Sequence, residues 1–105
     1  MVHAISEEVT QRYALPRLRD EDFVVIDSHV GRGYGLSTPE EVQVLRDLAR
    51  STGIVLDPVY SGKAFKALCD LSRQAPETLG NNLVFIHTGG IFGLLAAAKV
   101  LTPHL

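Results

Sequence analysis

Apolar residues along this chain change spacing several times, and each change marks an element. Ile5, Val9 and Tyr13 recur at i, i+4 and i+8, which predicts a helix over residues 3–13. Pro16 and the charged stretch 17–22 end it. Phe23-Val24-Val25-Ile26 is a short β-branched run bounded by charges, the pattern of a buried strand. Residues 27–37 read as a loop in which Gly31, Gly33 and Gly35 alternate around Arg32 and Tyr34. Thr38, Pro39 and Glu41 then form an N-cap, a first-turn proline and a capping-box acid. Val42, Leu45, Leu48 and Ala49 supply that helix with an apolar face, and Gly53 stops it. Ile54-Val55-Leu56 is a short extended piece leading into Asp57-Pro58-Val59-Tyr60-Ser61-Gly62. Ala64, Leu68 and Leu71 repeat at helical spacing up to Pro76.

The strongest strand signal comes late. Leu83-Val84-Phe85-Ile86 is four consecutive large apolar residues, as in a strand covered on both faces of a parallel sheet. His87-Thr88-Gly89-Gly90 follows, and then an apolar helix is expected over Ile91–Leu101. The order helix, strand, helix, short strand, helix, strand, helix predicts an α/β fold, a partial parallel sheet flanked by helices. That last helix is apolar nearly all round, as in an element enclosed on several sides. Two or three strands cannot enclose it. The sheet is therefore expected to be incomplete; a compact three-strand sandwich is the alternative.

Composition narrows the function classes. A chain of 105 residues holds one domain, and ten Lys+Arg against twelve Asp+Glu give a formal charge of −2. The basic residues are scattered, so nucleic acid is not an expected partner. The apolar stretch 91–101 is too short to span a bilayer and is interrupted by Lys99, so no membrane partner is expected either. The single cysteine, Cys69, excludes an internal disulfide and suits a reducing compartment, which predicts a cytoplasmic protein. Cys69 is expected as a packed thiol beside Leu68.

Two turns carry candidate chemistry. Ligands in open parallel sheets bind beyond the carboxyl ends of the strands, and Thr88-Gly89-Gly90 lies there. Paired glycines let backbone approach a ligand closely, although strand-to-helix turns also look like this for packing reasons. In 57–63, Tyr60 and Ser61 sit on a turn opening a helix, where hydroxyls can face a cleft. Tyr60 would serve as a general acid or base if a nearby cation lowered its phenol pKa. The structural alternative is a packed Tyr60 and an N-capping Ser61. The histidines His3, His29, His87 and His104 are too dispersed for a metal site, and no metal is expected. His87 is expected as a satisfied core histidine, with an orienting role on Thr88 as the alternative. Gly31–Gly35 is not a dinucleotide fingerprint, because the third glycine comes too early and no helix follows directly.

Taken together, V-G-R-G-Y-G-L-S-T-P-E, D-P-V-Y-S-G-K-A and L-V-F-I-H-T-G-G, in that order, resemble the aminocyclopropane-carboxylate deaminase and D-cysteine desulfhydrase family. These are fold-type-II pyridoxal-phosphate enzymes related to the tryptophan synthase β chain. The similarity runs from about Val30 to Ala98. It implies that the chain is the C-terminal segment of such a lyase, with the C-terminal part of that fold. It also implies pyridoxal 5′-phosphate as cofactor and a small amino acid as substrate in the full-length parent. Tyr60 matches the family's active-site tyrosine, and Gly89-Gly90 its cofactor-side turn. Ser61 and Thr88 match two cofactor-lining positions that separate the branches. Deaminases resemble one another in having Glu and Leu there, desulfhydrases in having hydroxyl residues. This chain has hydroxyls at both, so the resemblance implies β-elimination of D-cysteine to pyruvate, ammonia and hydrogen sulfide. A neutral hydroxyl only hydrogen-bonds to the pyridine nitrogen, which suffices for expelling a thiolate, whereas opening a cyclopropane ring demands a stronger electron sink.

The resemblance also exposes a gap. The family's Schiff-base lysine, its substrate-carboxylate residues and its phosphate loop belong to upstream sequence. Lys63, Lys66 and Lys99 do not stand in that lysine's context, and Lys63 is expected as a surface residue at a helix start. The chain alone is therefore expected neither to retain the cofactor nor to turn over substrate. Its expected partner is the missing N-terminal half, or further copies of itself in a homo-oligomer. A deaminase-like segment and a non-catalytic interaction module are the alternatives.

Overall fold

The computed structural model describes residues 1–102, and His104 lies outside them. Among the described residues five α-helices follow one another: α1 (Val2–Tyr13), α2 (Pro39–Thr52), α3 (Ser61–Gln74), α4 (Phe92–Ala96) and α5 (Ala98–Leu101). Helix α2 forms where its local signals place it. The Thr38 hydroxyl accepts from the Glu41 N–H at 3.2 Å, and the Glu41 carboxylate accepts from the Thr38 N–H at 2.7 Å. Pro39 opens the first turn, and Gly53 closes the last with φ 76°. Of the expected apolar face, Val42 and Leu45 are buried and Leu48 and Ala49 are half-buried.

Helices α2 and α3 pack together to make the core, whose buried apolar side chains are Val42, Leu45, Leu56 and Ala67. Glycine at position 62 makes this approach possible. A Cβ there would lie 2.6 Å from the Asp57 carbonyl oxygen and 2.7 Å from Leu45 Cδ2. The edge of α3 that is buried differs from the expected stripe. Ser61, Gly62, Lys63 and Ala67 are inside, whereas Ala64 is exposed and Leu68 and Leu71 are half-buried. Cys69 is a free, half-buried thiol.

The three apolar runs form no β-ladder among the described residues, which corrects the expected sheet. A strand is defined by a hydrogen-bonded neighbour, and none of the backbone hydrogen bonds joins two of these runs. Val24, Val25, Val84 and Ile86 are accordingly open to solvent, between 74% and 87% exposed. Residues 83–86 meet α3 at Phe85, whose ring meets Phe65 edge-on at 5.4 Å. The expected helix over Ile91–Leu101 is broken at Ala97 (φ −88°, ψ 2°) into α4 and α5. Phe92 and Leu95 face solvent, and a helix this short without tertiary packing is marginal in water.

Helix α1 has no buried residue, and Ile5, Val9 and Tyr13 are all exposed. The whole chain is correspondingly open. Its radius of gyration is 16.1 Å, against about 13 Å for a compact domain of this length. Its accessible surface is 8143 Å², against roughly 5,800 Å² for a folded monomer of this mass. Much of the excess is apolar.

Candidate functional site

Asp57 organises the site. It is 1% exposed, directly ahead of α3, and its carboxylate collects the free N–H groups of that helix start. Val59, Tyr60 and Ser61 donate their backbone N–H at 2.8, 2.7 and 2.9 Å. The Ser61 hydroxyl donates to the same carboxylate and accepts from the Asp57 N–H at 3.1 Å. Burial alone pushes the Asp57 carboxyl up. The hydrogen bonds from the Ser61 hydroxyl and from the N–H groups of Tyr60, Ser61 and Val59 outweigh it, and its pKa lies below the ordinary carboxylate value.

The same carboxylate joins the two motifs. A Cβ on Gly90 would stand 2.9 Å from Asp57 Cγ and Oδ2, so the glycine turn rests directly against the cap of α3. Both glycines have positive φ, 97° at Gly89 and 87° at Gly90, and space beside Gly89 is open. His87 fixes the turn from the other side. Its Nε2–H donates to the Val55 carbonyl at 3.0 Å, and its Nδ1 accepts from the Gly89 N–H at 3.0 Å. The imidazole is thus satisfied, but on an exposed surface and not in the core, which corrects the sequence expectation.

The expected site residues therefore fall into two groups. Tyr60, Thr88, Gly89 and Gly90 are exposed, and of these Tyr60 meets Asp57 through its backbone N–H and Gly90 by close approach. Ser61 does not share that exposure: it is 4% exposed, and its hydroxyl is committed to Asp57. Tyr60 is 61% exposed, and its phenol pKa is raised, not lowered. A hydrogen bond with the Tyr34 hydroxyl is the main cause, followed by desolvation and by the charges of Tyr34 and Asp57. A raised pKa keeps the proton on the phenol oxygen at neutral pH and makes the group a weaker acid than an ordinary tyrosine.

Sequence reasoning missed two participants. Tyr34 meets Tyr60 edge-on, ring centroids 5.9 Å apart at 67°. The signal available was an aromatic residue in the middle of an alternating-glycine loop. Lys63, expected on the surface, is 7% exposed. Its ammonium donates to the carbonyl oxygens of Val30 at 2.9 Å and Gly33 at 3.0 Å, which carries the side chain into the loop and away from solvent. A second tie lies nearby. His29 Nε2 pairs with the Asp70 carboxylate at 3.0 Å, and Lys66 reaches the same carboxylate at 2.5 Å. The Lys66 ammonium chiefly, and His29 secondarily, hold the Asp70 carboxyl below its usual range.

Between this loop and α3 lies a cavity of about 420 Å³ lined by Ile26, His29, Tyr34, Tyr60, Lys63 and Ala67, among others. Among the described residues, no group of three or more His, Cys, Asp or Glu is placed to hold a metal ion, and no helix is long and apolar enough to cross a membrane.

An open glycine turn and a tyrosine pair thus lie at the start of a capped helix. Sequence comparison identifies the class. The profile of the family described as pyridoxal-phosphate dependent enzymes matches residues 2–89, and the chain belongs to that family. A Thermotoga maritima protein provisionally named 1-aminocyclopropane-1-carboxylate deaminase is 41% identical over 91 residues, 87% of this chain and 28% of that protein. The Arabidopsis thaliana mitochondrial bifunctional D-cysteine desulfhydrase/1-aminocyclopropane-1-carboxylate deaminase is 42% identical over 78 residues, 73% of this chain and 20% of its own length. A Pyrococcus horikoshii protein, provisionally named as the Thermotoga one is, reaches 52% over 60 residues, 57% of this chain and 18% of its own length. The chain thus spans less than a third of each of these relatives.

Proposed function

We propose that this chain forms the hydroxyl-bearing wall of a pyridoxal-phosphate pocket in a lyase that eliminates thiol from D-cysteine. It corresponds on this reading to the C-terminal segment of that enzyme, and the lysine-bearing part lies in other sequence. The observation that supports the reading is the approach of the Gly89-Gly90 turn to Asp57, the residue that caps the helix start carrying Tyr60. These residues fit one side of a pyridine ring. Open space beside Gly89 admits a flat ring against backbone, and the Thr88 hydroxyl is available to its nitrogen. They do not fit the covalent tether, since Lys63 is held by two loop carbonyls.

The bound cofactor would supply the electron sink. The chain's own residues would orient the ring and handle protons. Thr88 would hydrogen-bond the ring nitrogen. Tyr60, a phenol protonated at neutral pH, would hold a proton at its oxygen on the substrate side. Ser61 would act through the shape of the wall, because its hydroxyl proton already belongs to Asp57.

The runs 23–26, 54–56 and 83–86, in which Val24, Val25, Ile54, Val84 and Ile86 are exposed, would complete a parallel sheet once the lysine-bearing part lies against them. With a second copy as the occupant, the chain would instead be an interaction module forming a homo-oligomer.

Joining this chain to the lysine-bearing part of a relative and measuring two substrates tests the reading. D-cysteine consumption is expected to exceed aminocyclopropane-carboxylate consumption by about tenfold or more, a difference of about 1.4 kcal/mol in transition-state stabilisation. Replacing Ser61 by Glu and Thr88 by Leu together is expected to move the ratio toward the second substrate. Deaminase activity is the second reading, favoured by the names of the relatives. A ratio that already prefers the cyclopropane acid would establish it in place of the first.

A further inference from the structure

We propose that Lys63 is a positioning residue: its ammonium pins the glycine loop 30–35 to the start of α3 and so sets Tyr34 against Tyr60. The inference depends on the cofactor-pocket reading for its catalytic meaning, but not for its geometry.

A lysine this buried is uncommon unless its charge is satisfied. Here the satisfying groups are two backbone carbonyls of one loop, Val30 and Gly33, and not carboxylates. The loop can present both because glycine alternates in it: Gly31 has φ 76°, Gly33 φ 143° and Gly35 φ 70°. Such a path turns carbonyls inward, where they need a donor. At Gly31 a Cβ would already stand 3.0 Å from Lys63 Nζ, so the ammonium fills the concavity of the loop. A cation makes both hydrogen bonds at once and charge-assisted, which a neutral side chain of this reach does not.

The consequence falls on the tyrosines. Tyr34 directly follows Gly33, whose carbonyl Lys63 holds. Tyr60 directly precedes α3, three residues ahead of Lys63. One helix start thus fixes both rings, Tyr60 through its own backbone and Tyr34 through the lysine. The edge-on contact at 5.9 Å is the result.

The test uses the full chain without cofactor, with Tyr13→Phe so that Tyr34 and Tyr60 are the titrating phenols. Ultraviolet absorbance is followed as pH rises. Lys63→Met is expected to move the higher phenol transition down toward the ordinary tyrosine value, as Tyr34→Phe does, because Tyr34 is no longer held against Tyr60. Lys63→Arg, which keeps the donors, is expected to restore it. A Lys63→Met titration that overlays the parent overturns the proposal. Should Lys63→Met not fold, reductive methylation of the unmutated chain decides. Lys63 is expected to react at least about tenfold more slowly than the exposed Lys99, since modification requires the loop to open. Equal rates overturn the pinning. Neither readout involves cofactor, so a negative result removes the role of Lys63 and leaves the pocket reading standing. Loss of the pocket reading, conversely, leaves the lysine result intact.

Discussion

Replacing Asp57 by alanine is expected to cost about 2–4 kcal/mol of folding stability, combining a lost helix cap with buried donors left unpaired. The carboxylate accepts from three backbone N–H groups and from the Ser61 hydroxyl, all at the start of α3. Alanine removes every acceptor and leaves Ser61, 4% exposed, without a partner for its proton. It also leaves a gap against Gly90, which rests on this side chain. The glycine turn and the helix start should therefore loosen together. Denaturant unfolding at neutral pH measures the loss, and an unchanged midpoint would rule out the capping role.

The sign of the pH dependence follows from the same contacts. Because the folded pKa of Asp57 lies below the ordinary value of 3.8, its stabilising contribution is complete above that value and is lost as pH falls through the folded pKa. Asp57→Asn retains an acceptor for the N–H groups but cannot titrate. It should lose less stability at neutral pH and flatten the acid limb.

Gly62→Ala is the second large expected effect. Alanine is ordinarily the better helix former, by about 1 kcal/mol. At this position the added methyl would lie 2.6 Å from a backbone carbonyl oxygen and 2.7 Å from Leu45. The leucine end can swing aside, but the carbonyl belongs to Asp57 and accepts the Gly62 N–H at 2.8 Å. Overpacking of this kind costs about 1–3 kcal/mol, so the net change is expected to be destabilising despite the propensity gain. Adding Leu45→Ala should relieve only the side-chain part of the clash. If Gly62→Ala melts at or above the parent, the close approach of α2 to α3 is not as described.

How far the sequence foretold this structure depended on whether a signal was local. Helix α2 was legible residue by residue because Thr38, Pro39, Glu41 and Gly53 act on backbone a few positions away. The stripe in α1 was legible as a helix, but its burial was not, since burial needs a surface to lie against. The apolar runs at 23–26 and 83–86 were recognised as extended, while their ladder depends on neighbours distant in sequence or outside it. Lys63 was misjudged for a similar reason. Exposure is the usual fate of lysine, and its two acceptors lie 33 and 30 residues away. Of the proposed site, the candidacy of Tyr60, Thr88 and the glycine pair was legible from motif order. Tyr34 was not, and neither was the engagement of Ser61 by Asp57.

The family's motifs are present in this chain, whereas no β-ladder forms among the described residues. An accessible surface of 8143 Å² leaves Val24, Val25, Val84 and Ile86 uncovered beside a well-built helix cap.

The most direct measurement is to mix the purified chain with equimolar pyridoxal phosphate, reduce with borohydride and weigh the product. The account predicts no stoichiometric fixation on Lys63, Lys66 or Lys99, and fixation on the added lysine once a lysine-bearing half is supplied. Full fixation on one lysine of the isolated chain would contradict it.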